Sequence, residues 1–424
     1  MHSSSKDKQG RPVVVVTGMG VVTSLGQGKE ENWAKLTAGV SGIHSITRFP
    51  TEGLRTTIGG TVDFVPFENA PDLTTKMAEL AGREALEESG IAIGEFPGPL
   101  FLGMPPVEME WPQRHEVARA LDDPSTVTYP DMYKATHLKD FSWIHERFLF
   151  GSVGDRLADT FGTKGAPISI STACATGGTA IQLAVEAIRR GETDAAFVVA
   201  ADGSANQESL VRFSLLSALS TRNENPTAAA RPFSRDRDGF VMAEGAGALV
   251  LESYDHAVAR GARIIGVVEG CGEMADSFHR TRSSPDGAPI VGCMRNALED
   301  AGVGPGDVQY VNAHGTSTPE NDKMEFVGMH AVFGDHLKSI AVSSNKSMIG
   351  HTLSAAGAIE AVFTLMTLDR GVIPPTINYH ESDPAIQLDV VPNEARKATV
   401  RRAISNSFGF GGQNVSLVFA REPS

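Results

Sequence analysis

The chain of 424 residues has only three cysteines, Cys174, Cys271 and Cys293, and none of them is paired at metal-ligand spacing. That scarcity excludes a cysteine-based zinc site and points to a reducing compartment. Positive charge is also short: the formal net charge is −14 and no Lys/Arg-rich block occurs, so nucleic acid is not an expected partner. No apolar run approaches the roughly 18 residues that a membrane-spanning helix needs. The segment that comes nearest to a leader, Pro12 to Val16 behind Lys6, Lys8 and Arg11, is β-branched and then broken by Thr17, Gly18 and Gly20. It suits a buried strand entering a glycine turn better than a signal helix. A cytoplasmic protein with no integral membrane segment is the expectation.

What is present is a core-forming composition, 41% hydrophobic and 21% charged, on a chain long enough for two fused halves. The second half repeats the first in the same order of elements. The strand and Gly-Met-Gly turn from Arg11 to Val22 correspond to Ala262 to Gly272, and Arg83 to Ile91 corresponds to Arg295 to Val303, each a helix stopped by glycine. Ile168 to Ile188 corresponds to the strand from Ile340 and the helix ending at Leu365, and each half closes with an apolar strand, Gly245 to Glu252 and Gly411 to Phe419. The reading is α/β throughout: residues 1–10 a disordered tail, 11–261 one half and 262–424 the other, with largely parallel sheets facing each other. An insertion at about 105–150, rich in aromatic and charged residues, has no counterpart in the second half. It is expected to cap a pocket, to build a subunit interface or to be a plain surface excursion.

Chemistry concentrates in three small, polar, glycine-rich settings. Cys174 lies in Ile168-Ser-Ile-Ser-Thr-Ala-Cys-Ala-Thr-Gly-Gly-Thr-Ala180, where a strand turns into a helix. A thiol there meets the positive end of the helix, which favours thiolate. His314 stands in Asn312-Ala-His-Gly-Thr-Ser-Thr-Pro319 and His351 in Lys346-Ser-Met-Ile-Gly-His351. A lone cysteine is most often an inert core residue. One cysteine with histidines far along the chain is the pattern of covalent catalysis by a thiol.

These motifs, together with Arg231-Pro-Phe-Ser-Arg-Asp-Arg-Asp-Gly239 and Asn406-Ser-Phe-Gly-Phe-Gly-Gly412, resemble the 3-oxoacyl-[acyl-carrier-protein] synthases, from about Pro12 to Phe419. The resemblance implies a thiolase-like duplicated fold, a five-layered αβαβα sandwich, and a homodimer that works with acyl carrier protein, needing neither metal nor other cofactor. It implies that Cys174 accepts the acyl group, with the amides of Cys174 and Phe410 as oxyanion donors and Phe410 also as a gate. His314 and His351 then stabilise the enolate left when malonyl carrier protein loses CO₂, each such donor contributing about 3 kcal/mol. Lys346 polarises the site, including His351, with Asp322, Glu325 and Glu360 as acids near it. Thr316 and Thr318 line the pantetheine tunnel, Thr281 lies at its mouth, and Phe213 lines the acyl pocket.

The chain departs from the family's pattern in two places. Gly103-Met-Pro-Pro-Val-Glu-Met-Glu-Trp111 replaces a glycine-rich run that caps the acyl pocket, and this points to an altered pocket floor, open to longer chains. The family's basic docking cluster keeps only Lys76, and Ser217 stands where an arginine is common, so carrier docking falls to Arg280 and Arg282. A polyketide-type ketosynthase and a non-catalytic chain-length subunit are the competing readings. Intact Cys174 speaks against the latter.

Overall fold

The computed structural model describes residues 5–121, 123 and 127–423. Ten strands carry the architecture: β1 (Val14–Thr23), β2 (Leu100–Gly103), β3 (Ile168–Ile170), β4 (Ala195–Asp202), β5 (Gly245–Ser253), β6 (Gly266–Ala275), β7 (Tyr310–Asn312), β8 (Ala341–Ser343), β9 (Arg402–Phe408) and β10 (Gln413–Ala420). The first five lie in the order β3-β2-β4-β5-β1 and the last five in the order β8-β7-β9-β10-β6. The two halves thus share one strand order, as the sequence repeat implies.

The expectation of largely parallel sheets needs correction. β2 runs parallel to β3 and β4, and β7 parallel to β8 and β9, but the remaining pairs in each half are antiparallel. In the second half the cause is plain: β9 and β10 are joined by the short loop Gly409 to Gly412, and a parallel crossover needs a dozen or more residues. The halves also do more than face each other. β1 pairs antiparallel with β6 through Val14–Val268, Val15–Val267 and Val16–Gly266, joining both sets edge to edge.

Five helices complete the layers: α1 (Ala70–Ser89), α2 (Thr176–Arg189), α3 (Ala288–Ala301), α4 (Pro319–Phe333) and α5 (Ala356–Arg370). α1 begins where Asn69 accepts from the Asp72 N–H and stops at left-handed Gly90; α3 stops at left-handed Gly302. α1 packs on β1, β4 and β5, while α3 packs on β6 and β10 with α4 beside it. α2 and α5 fill the middle, touching each other and strands of both halves. Outer helix, sheet, helix pair, sheet and outer helix make the αβαβα sandwich.

The tail expectation is also corrected in part. Residues 1–4 lie outside the described residues, but residues 5–10 are ordered: Val13 N–H donates to Ser5 C=O, Arg11 pairs with Asp7, and Lys8 Nζ donates to Gly302 C=O at 2.7 Å. Among the described residues the insertion forms three short helices, Trp111–Ala118, Tyr129–Leu138 and Ser142–Phe148, around Val117, Ala135 and Ile144; residues 122 and 124–126 are not among them. No helix among the described residues is long and apolar enough to cross a membrane.

Candidate active site

Cys174 sits on a bend built by its neighbours. Ala173 holds a φ of +50°, a region that L residues other than glycine rarely occupy. The Thr176 hydroxyl ties this bend down, donating to Ala173 C=O at 2.6 Å and accepting from Thr172 N–H at 2.8 Å. The sulfur is thereby lifted to the start of α2 and lies buried.

The second half supplies the partners. His314 follows β7, and its loop is held by Glu325 of α4, which accepts the N–H groups of His314 and Gly315 at 2.8 Å each. His351 is fixed by a bridge to Met242, donating its N–H to Val241 C=O at 2.7 Å. A ring nitrogen from each histidine and the Cys174 sulfur all lie within 4.8 Å of one another. The two rings meet edge to face at 5.2 Å between centroids.

Hydrogen bonding decides the tautomers. Leu353 N–H donates to His351 Nδ1 at 3.3 Å, and Lys346 Nζ donates to His314 Nδ1 at 3.5 Å. Neither donor can accept a proton in return, so each ring keeps its hydrogen on Nε2. Burial, reinforced by the Lys346 charge, holds both histidines well below 6.5 and therefore neutral near pH 7. The site thus presents two neutral N–H donors, suited to a developing oxyanion.

The ionisation of Cys174 contradicts expectation. Burial pushes the Cys174 thiol from 9.0 to about 11, against the Phe410 amide hydrogen bond and the Lys346 charge, which favour thiolate. That change disfavours the thiolate by about 3 kcal/mol. A helix terminus typically returns only about 0.3–1 kcal/mol. Burial wins, and the resting group is a thiol.

The predicted lysine cluster is smaller than expected. Lys346 pairs with buried Glu360, itself pushed up to about 7 by burial, and its hydrogen bond runs to His314 rather than to His351. Glu325 instead holds the His314 loop, and Asp322 accepts from Phe233 N–H at 2.8 Å with Arg237 at 3.7 Å. Both acids sit on α4, where their carboxylates serve backbone donors, a role no spacing rule reveals.

A cleft of about 510 Å³ contains Thr281, Thr318, Phe410, Arg280, Arg282 and Ser217 in its lining. Thr316 stands behind Thr318, their hydroxyls 2.9 Å apart. At Gly409 a side chain would fit only tightly: a Cβ would lie 3.0 Å from the Thr172 carbonyl oxygen and 3.2 Å from Cys174 N. This brings the Gly409 to Gly412 backbone close to Cys174, an approach that glycine permits. Phe213 stacks edge to face on Phe240 at 5.3 Å, and Phe240 does the same on His351 at 5.4 Å, so an aromatic wall leads away from the site. The altered segment at Met104 to Glu110 borders a separate space of only about 40 Å³. That holds about three waters. Asp202, whose carboxylate accepts from Ser354 N–H in the turn after His351, was not singled out in the sequence; it lies in no recognised motif.

A buried thiol beside two N–H-donating imidazoles, next to a glycine-bounded amide loop that lines the cleft, defines a thiol-dependent acyl-condensing enzyme. The model of the beta-ketoacyl synthase N-terminal domain matches residues 11–257 and that of the C-terminal domain matches 265–380. The chain belongs to the beta-ketoacyl synthase family, and it is an acyltransferase of the condensing class. It is 37% identical over 419 residues to 3-oxoacyl-[acyl-carrier-protein] synthase 2 of Coxiella burnetii, covering 96% of this chain and 98% of that protein. It is 38% identical over 421 residues to the protein of the same name from Vibrio cholerae, covering 96% and 99%. Among solved structures, a type II PKS ketosynthase in complex with its acyl-carrier protein (AntDE:AntF) superposes with a TM-score of 0.86 at 33% identity, covering 97% and 99%. A beta-ketoacyl synthase from Burkholderia phymatum superposes at 0.82 with 32% identity, covering 96% and 99%.

Proposed function

We propose that the chain extends an acyl-carrier-protein thioester by decarboxylative condensation with malonyl carrier protein, as in fatty-acid elongation. The observation that carries this is the convergence of Cys174, His314 and His351 within 4.8 Å. The Cys174 sulfur attacks the acyl thioester; a new thioester forms, and the carrier's pantetheine sulfur leaves as a thiol with the Cys174 proton. Malonyl carrier protein then loses CO₂, and the electron pair of the broken C–C bond moves onto the thioester oxygen. The Nε2–H groups of His314 and His351 hold that enolate. Its carbon attacks the acyl-Cys174 carbonyl and expels the sulfur, which regains a proton from solvent. The product is a 3-oxoacyl thioester two carbons longer. The amides of Cys174 and Phe410 serve the tetrahedral oxyanions.

Carrier docking falls to exposed Arg280 and Arg282 at the cleft rim, beside Thr281 at the mouth. Thr316 and Thr318 receive the pantetheine arm, while Phe213 and Phe240 line the acyl side. The protein acts as a homodimer in the cytoplasm. β3 is an open sheet edge with Ile168 41% exposed, whereas the opposite edge, β8, is covered by Asp389, whose C=O accepts from Val342 N–H at 2.8 Å. Sedimentation should give twice 44.9 kDa, and a monomer would reject the dimer.

The chemistry is tested by half-reactions. Cys174→Ala abolishes condensation but keeps malonyl decarboxylation, while His314→Ala and His351→Ala depress decarboxylation and still allow acylation of Cys174. Full condensation by any of the three sinks these roles. The ketosynthase of a type II PKS as a structural neighbour keeps polyketide extension as the second reading. Mass measurement of acyl-Cys174 with saturated and polyketone primers separates the two.

A further inference from the structure

Asp202 ends β4 and is 1% exposed, yet the proposed reaction gives it no task. Its Oδ2 accepts the Ser354 backbone N–H at 3.0 Å, and its Oδ1 accepts the N–H of Ser204 at 3.0 Å and the Ser204 hydroxyl at 2.5 Å. Ser354 follows Leu353, whose φ of +46° is left-handed, and the Leu353 N–H is the donor to His351 Nδ1. Leucine rarely stays in that region unless its surroundings hold it there. The next peptide is held by a buried carboxylate from the other half of the molecule.

Electrostatics argue that Asp202 is not there for the thiol. Its negative charge raises the Cys174 value, opposing thiolate, and it lies close enough to buried Glu244 for the two acids to disfavour each other's ionisation. Arg48 neutralises Glu244, not Asp202. What Asp202 does contribute is hydrogen bonds accepted from both Ser204 and Ser354, the latter in the turn that fixes a reacting ring.

We infer that Asp202 is a positioning residue that selects the Nε2–H tautomer of His351 through Ser354 and Leu353. Without this anchor the Leu353 N–H swings off Nδ1 and the ring is free to carry its hydrogen on Nδ1. Nε2 then turns a lone pair, not a proton, towards the enolate. The inference rests on the reading of His351 as an enolate donor, but its first measurement does not.

That measurement is the ¹⁵N spectrum of the His351 ring in histidine-labelled protein, read for wild type, Asp202→Asn, Asp202→Ser and, as control, Ser204→Ala. The asparagine amide offers one oxygen and so cannot serve both Ser354 and Ser204; the shorter serine is the second variant should the amide prevent folding. Wild type and Ser204→Ala should show Nδ1 as an acceptor and Nε2 as N–H, and the Asp202 variants should show a mixture of tautomers. In parallel, decarboxylation of malonyl carrier protein should fall about tenfold or more in the Asp202 variants with KM little changed, since one oriented oxyanion donor is lost. Acylation of Cys174 should stay within about threefold of wild type, being independent of that donor. An unchanged tautomer in both variants, or an equal fall in both half-reactions, overturns the inference. Should His351→Ala itself decarboxylate normally, the reaction assignment fails while the tautomer result still decides the role of Asp202.

Discussion

Cys174, His314, His351, Glu325 and Glu360 are each shifted by burial first and by their neighbours second, and the shifts have measurable consequences. Because the Cys174 thiol sits at about 11, alkylation by iodoacetamide should accelerate about tenfold per pH unit from 7 to 10; a plateau near pH 8 would contradict this. Glu325 is pushed up to about 7 by burial although it accepts two backbone N–H groups. Its folded value exceeds the ordinary 4.5, so its contribution to stability is complete below 4.5 and is lost as pH rises through 7. Glu325→Gln, which cannot titrate, should therefore gain about 2–3 kcal/mol relative to wild type between pH 5 and pH 8 in urea unfolding. A loss over that interval would reverse the sign of the argument. His314 and His351 act the other way, their contribution being lost as pH falls below 6.5.

Among the elements, the contact between α2 and α5 decides how Cys174 is held. A Cβ on Gly357 would lie 2.4 Å from Gly178 N, so the two backbones touch with no room for a methyl group. Gly357→Ala should destabilise the protein by about 1–3 kcal/mol or more and slow acylation of Cys174 by shifting α2. Denaturant titration and acyl-enzyme mass measurement check both effects, and unchanged values would show that the helices can separate freely. The helices themselves were legible in sequence, because Gly90 and Gly302 stop α1 and α3 at matching points and the Cys174 turn announces α2. The three side chains that converge within 4.8 Å were legible for the same local reason, each standing in its own glycine-rich motif. What escaped was set by long-range partners: Lys346 choosing His314 over His351, Glu325 and Asp322 serving backbone N–H groups, and Asp202 reaching Ser354 across the halves. The mixed sheet escaped as well, since alternation of strands and helices does not specify the direction of β5 or β10.

For the molecule as a whole, the shared middle layer couples the two halves. α2 touches β10 of the second half, and α5 touches β4 and β5 of the first, so neither half buries its own helix alone. Unfolding in urea should therefore be one transition by fluorescence and circular dichroism alike, and two separated transitions would show independent halves. The division of the site between them bears on its history in the cell. Cys174 emerges from the ribosome roughly 10–50 s before Phe410, at ordinary speeds of synthesis. Until α5 docks against α2, the thiol has neither imidazole nor amide loop beside it. A nascent or truncated chain therefore carries its sulfur without the machinery to use it, and turnover begins only once synthesis has finished.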